Sequence, residues 1–145
     1  MKRNIITIVT VLMMLLMTGC VNKIDHALPD IPIEFNTSSF RDSVSKDEYV
    51  AIEYEGRTYI PFGTLTGSLD NGDVGECLGY LIQDGQRLEN VRLFTLVSDA
   101  NANYIMEIDT GGEMSQPDFY RAVDTVGKDI TTPPFIESLG YEYWK

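Results

Sequence analysis

Short runs of β-branched and aromatic residues, each closed by a turn signal, are the feature that most limits how this chain can fold. Tyr49-Val-Ala-Ile-Glu-Tyr54 is followed by Glu55-Gly56 and then Arg57-Thr-Tyr-Ile60, the pattern of a hairpin with its glycine in the turn. Cys77 to Gln83 and Val91 to Val97 are two further strand candidates, joined by the polar Asp84-Gly85-Gln86 region. Tyr104-Ile-Met-Glu-Ile108 is another, bounded by Asn101-Ala-Asn103 and by Gly111-Gly112. Segments this short bury an apolar face only by pairing, so the expected fold is mainly β, with α+β as the alternative. Its core is a small antiparallel sheet or open barrel. Helix signals are confined to the C-terminal part. Ser115-Gln-Pro117-Asp118 puts a capping serine before a proline and an acid in the first turn, which predicts a helix from Gln116 to about Val123. Thr132-Pro133-Pro134 through Leu139-Gly140 predicts a second, ending on a glycine stop. Both are expected to lie against the sheet.

Which residues belong to that domain is decided at the other end. Lys2 and Arg3 precede an apolar run from Ile5 to Met17, about 13 residues long, and Thr18-Gly19-Cys20 follows. This is the plan of a secretory signal peptide. The run falls short of the roughly 20 residues that a permanent membrane helix needs, so cleavage is the expectation. The residues before the cut resemble the bacterial lipobox, with Met17 where Leu is usual. That resemblance implies that Cys20 is diacylated and becomes the first residue of a lipoprotein held on the extracytoplasmic face of the cell membrane. Two acyl chains give firm attachment where one gives only marginal attachment.

The expected division is therefore residues 1–19 as signal peptide, 20–46 as lipidated cysteine and flexible tether, and 47–145 as one extracytoplasmic domain. Pro29, Pro32, Asn36, Thr37 and several serines mark the tether, whose flexible span would be about 30 Å. The alternation Ile31-Pro-Ile33-Glu-Phe35 also gives part of it the pattern of an edge strand, where proline is tolerated. The remaining residues, roughly 100, suffice for one core.

Loss of residues 1–19 would take away two cations and no acid, leaving nine basic against 22 acidic side chains, a formal charge of −13. Such a surface disfavours nucleic acid and anionic headgroups, and steers cations inward. Acidic surfaces also serve solubility alone. With Cys20 committed to lipid, Cys77 has no partner for an internal disulfide, and its apolar setting suits a buried, inert thiol.

The single histidine, His26, lies in the tether, so Ser- or Cys-based catalysis has no imidazole base in the domain. There is no nucleophile elbow, phosphate loop or metalloprotease helix motif, and no cofactor is expected. No catalytic residue is assigned, and ligand-binding residues are left unassigned. Asp70-Asn71-Gly72-Asp73-Val-Gly-Glu76 offers oxygen ligands but not calcium-loop spacing, and is read as a solvated turn without metal. Ser98 to Asn103 is read as an Asx-rich turn. The C-terminal Tyr141-Glu-Tyr143-Trp144 either docks, which is the favoured reading, or offers an aromatic face to a partner.

Tyr54-Glu-Gly-Arg-Thr-Tyr59, Asp73 to Tyr80, Val91 to Leu96 and Asn103 to Glu107 resemble the hairpin and later strands of small surface lipoproteins from Gram-positive bacteria. Their order is similar to that in lipoproteins of nisin and subtilin self-immunity. The resemblance implies capture of a cationic lantibiotic at the membrane. It spans residues 49–108 and gives no counterpart for Met114 to Lys145. The expected function is a non-catalytic binding module for a cationic peptide or other ligand. The alternative is an accessory envelope protein that binds another protein.

Overall fold

The computed structural model describes residues 27–67, 69–70, 72–111, 116–137 and 139–144. The leader, Cys20 and His26 lie outside them. The chain is mainly β, with eight strands: β1 (Ile33–Asn36), β2 (Ser38–Arg41), β3 (Glu48–Tyr54), β4 (Arg57–Thr64), β5 (Val74–Gln83), β6 (Gln86–Leu96), β7 (Tyr104–Asp109) and β8 (Asp118–Ala122). They form one curled mixed sheet, a half-barrel, in the order β1-β5-β6-β7-β8-β4-β3-β2. All neighbours are antiparallel except β1 and β5, which run parallel.

Two of the hairpins are set by their turns. Glu55 and Gly56 both have positive φ, 49° and 73°, as do Asp84 and Gly85 at 52° and 75°. Two successive positive-φ residues make the turn whose twist matches that of paired strands, and glycine at the second place removes the steric cost.

The two edge strands are consecutive in the chain. β1 pairs with β5, a single residue, Thr37, follows, and β2 then pairs with β3 at the opposite edge. The Thr37 amide continues the first ladder by donating to Ile82 O at 3.0 Å. One bent segment, residues 33–41, thus spans the mouth of the half-barrel. The sheet takes in β1 where the Ile31–Phe35 alternation suggested an edge strand, and it extends to β2 within the stretch otherwise expected to be tether. Phe35 explains the attachment, because its side chain is fully buried in the concave cluster.

Both faces of the sheet are covered. The concave face carries Phe35, Ile52, Tyr59, Leu78, Leu81, Leu93, Ile105, Tyr120 and Ala122. The convex face carries Phe62, Phe94, Leu96, Tyr104, Met106, Ile108 and Phe119, beneath Leu65, Ile136 and the partly buried Ile130, Phe135 and Trp144.

The two expected helices are absent. Residues 118–122 form β8, the strand between β4 and β7. Phe119 faces one cluster and Tyr120 the other, so burial on both faces outweighs the local capping signal, whose Ser115 lies outside the described residues. Pro117 immediately precedes the strand, a place that needs no ladder donor. Residues 130–137 are irregular chain with one turn, closed by Ile136 N donating to Pro133 O at 3.0 Å. Two adjacent prolines hold this segment open while Phe135 and Ile136 cover the convex cluster. The described helical structure is two single 3-10 turns, Val123–Thr125 and Glu142–Trp144.

Candidate functional site

Strand register builds a polar row into the concave face. Glu107 of β7 lies opposite Asp118 of β8, which lies opposite Thr64 of β4, and directly opposed residues share a face. Thr64 Oγ1 donates to Asp118 Oδ1, and Tyr120 OH donates to Glu107 Oε2 at 2.8 Å. These groups line a cleft of about 240 Å³ whose other walls are Pro61, Gly63, Phe119 and the ring of Tyr141.

Burial pushes the Glu107 carboxyl above the usual carboxylate range. The Tyr120 hydrogen bond opposes that shift, while the charges of Asp118 and Asp109 add to it. The Tyr120 hydroxyl is in turn driven well above a normal phenol, by burial first and by Glu107 second. Like charges held directly opposite on a sheet repel. Among the described residues the ion pairs are Arg57–Asp124 and Arg87–Glu89, and neither Glu107 nor Asp118 takes part in one. The row is therefore an uncompensated pair of carboxylates walled by tyrosine rings. A bound cation would relieve the repulsion and face the negative side of an aromatic ring.

Tyr141 reaches the cleft because the C-terminal segment is docked. Trp144 Nε1 donates to Pro61 O at 3.3 Å, on the edge of β4 that β3 leaves after Tyr59. Proline offers no N–H there, so the β3 ladder stops and the edge is open to the tryptophan. The indole also lies 4.6 Å from the guanidinium carbon of Arg121, which stands 5.3 Å from the Phe62 ring and 5.8 Å from that of Tyr104. Arg121 Nε donates to Thr125 Oγ1 at 2.8 Å, fixing the cation inside this cage. Tyr143 packs on Phe40 and Tyr49, with centroids 6.1 and 5.6 Å apart. Docking is thus the observed state of the C-terminal aromatics. It occurs as a 3-10 turn rather than a final strand, and it leaves Tyr141 51% exposed.

The other residues singled out from the sequence have structural places. Asp70 closes a turn, its Oδ1 accepting from Gly72 N at 3.2 Å and its carbonyl from Asp73 N at 3.0 Å. Asp99 Oδ2 accepts from Tyr104 N at 2.7 Å and Asp99 O from Ala102 N at 3.1 Å, so this Asn- and Asp-rich stretch is a turn tied back to its own acid. Cys77 is half-buried on β5 against the convex cluster. Among the described residues no group of three or more His, Cys, Asp or Glu side chains is placed to hold a metal. The sequence alone assigns no functional role to Glu107, and to Asp118 only a place in the first turn of the expected helix. The available signal was a charged residue at an inward position of the otherwise apolar run Tyr104–Ile108.

No family model matches the chain, and neither curated proteins nor solved structures yield a match.

Proposed function

We propose that this chain is a lipid-anchored extracytoplasmic protein, attached through Cys20, whose half-barrel is a non-catalytic binding module for a cationic ligand. The observation that carries the reading is the Glu107–Asp118 pair, two carboxylates on one cleft with tyrosine walls and no described counter-charge. A primary ammonium, from a lysine side chain or a peptide N-terminus, has the charge that both carboxylates attract and is small against a cleft of about 240 Å³. The formal charge of −13 expected after leader removal would steer such a ligand toward the domain. A cationic lantibiotic is the ligand that the resemblance to self-immunity lipoproteins implies.

The paired carboxylates also raise a hydrolase reading, in which a carboxyl of raised pKa serves as the acid. It is the weaker one, because one oxygen of each carboxylate is already engaged within the fold, Glu107 Oε2 by the Tyr120 hydroxyl and Asp118 Oδ1 by that of Thr64. The accessory reading, in which the domain binds an envelope protein, draws on the exposed Leu139 and Tyr141 beside the cleft.

Titration calorimetry of the domain with a capped tetralysine tests the binding reading. Expected are an affinity that falls steeply with ionic strength and a loss of tenfold or more in E107Q/D118N. Binding indifferent to both would overturn it. For the anchor, intact mass of protein from membranes should show a diacylglycerol increment on a chain starting at Cys20, absent in Cys20→Ala.

A further inference from the structure

A second hollow lies across the C-terminal turn from the cleft. It encloses about 310 Å³ and is an apolar groove with a charged rim: Val44, Val126 and Tyr143 form its walls, and Asp42, Asp47 and Glu142 stand around them. Val44 is 87% exposed, so its side chain is open to a partner. Tyrosine rings link the two hollows. Tyr141 lines the first, Tyr143 lines the second, and the ring of Tyr49 lies between them at centroid distances of 6.0 and 5.6 Å.

The charges around the groove are not cancelled within the fold. Asp42 uses its carboxylate to hold its own loop, accepting from Val44 N at 3.1 Å and Ser45 N at 3.3 Å. The adjacent cations are turned to carbonyls: Lys46 Nζ to Ser43 O at 2.5 Å, and Arg41 Nε to Lys46 O at 3.2 Å. Among the described residues none of Asp42, Asp47 and Glu142 is in an ion pair. The rings feel this field. Burial and then Asp47 and Asp42 hold the Tyr49 hydroxyl above a normal phenol, and burial and then Asp42 do the same at Tyr143.

We infer that the ligand is an extended amphipathic peptide, with one basic group in the Glu107–Asp118 cleft, apolar side chains across the tyrosine ridge and in the Val44–Val126 groove, and a second basic group at the acidic rim. This rests on the reading of the cleft as a cation site and goes beyond it, because a lone cation has no use for the groove. Charge complementarity selects the occupant: an apolar surface rimmed by the exposed carboxylates of Asp47 and Glu142, with Asp42 buried behind them, repels acidic partners and favours an apolar segment that carries its own cations. The two ring-to-ring steps, 6.0 and 5.6 Å, put Tyr141 and Tyr143 at most about 12 Å apart, a ridge that three or four residues of extended chain can cross.

Three capped peptides test this by calorimetry on the whole domain: a single lysine between glycines, two lysines separated by three serines, and two lysines separated by three leucines. The leucine peptide is expected to bind at least tenfold more tightly than the serine peptide. V44S/D47N should abolish that gain while leaving the single-lysine peptide unchanged. Val44 and Asp47 are exposed, so the variant should fold, and an unchanged melting temperature checks it. No gain for leucine, or a gain untouched by V44S/D47N, would overturn the groove while the cleft reading stands. Failure of the single-lysine peptide to bind would overturn both. Self-association of the free domain that V44S abolishes would assign the groove to a second copy and overturn the peptide.

Discussion

The Tyr120 hydroxyl, seated in the concave core, donates a 2.8 Å hydrogen bond to Glu107, the half-buried carboxylate of the cleft. Burial raises the Glu107 pKa above its unfolded value. The folded state therefore holds this proton more tightly than the unfolded state. Its contribution to stability is fully present below the ordinary carboxylate range and is lost as pH rises through the raised pKa. E107Q should flatten that part of the pH–stability curve and raise stability at pH 7 by on the order of 1 kcal/mol, because a neutral amide is less costly to desolvate. Urea melts at pH 4 to 8 measure it. A steeper slope in E107Q would contradict the assignment.

Tyr59 donates to Ala102 O at 2.7 Å, and burial pushes its hydroxyl up to about 12. A raised phenol stabilises the fold below the unfolded value near 10, and that stability disappears as pH climbs toward 12. Spectrophotometric titration should show Tyr59, like Tyr120, ionising only as alkaline unfolding sets in. Y59F should shrink that late step by one tyrosine and lose about 1 kcal/mol at neutral pH.

Gly79 is the place where β1 meets β5. A Cβ there would overlap the Ile33 carbonyl and stand 2.7 Å from Ile33 N. G79A should push β1 off the sheet, costing about 2–3 kcal/mol and opening residues 33–41 to protease. Resistance equal to the parent protein would show that the contact yields.

Trp144 is the chain's one tryptophan. Its emission should report docking of the C-terminal turn, shifting red in R121Q as the cation leaves the cage. W144A should cost about 2–3 kcal/mol, since both the ring packing and the bond to Pro61 O are lost. A red-shifted emission in the parent protein would mean that the turn is undocked in solution.

The strands that pair with their sequence neighbours are legible in the sequence. Tyr49–Ile60 and Cys77–Val97 carry their turn chemistry locally, in Glu55-Gly56 and Asp84-Gly85. β8 was hidden because its decisive partners, β4 and β7, are remote in the chain, while the capping signal at Ser115-Gln-Pro117 is local. The cleft was hidden for the same reason. Glu107 and Asp118 become opposite only when β7 and β8 are in register, and the one local cue, an acid inside the apolar run Tyr104–Ile108, does not name its partner.

The bend at Thr37 bears on what happens when many such chains crowd together. A sheet that ends in long, straight, unpaired strands offers its neighbours a template for polymerisation. Here each terminal strand is four residues long, and the two are halves of one turning segment preceded by Pro32. A neighbouring chain seeking to extend the sheet meets a corner in place of a rail, so the domain should stay monodisperse at concentrations where a flat sheet of the same composition would form fibres.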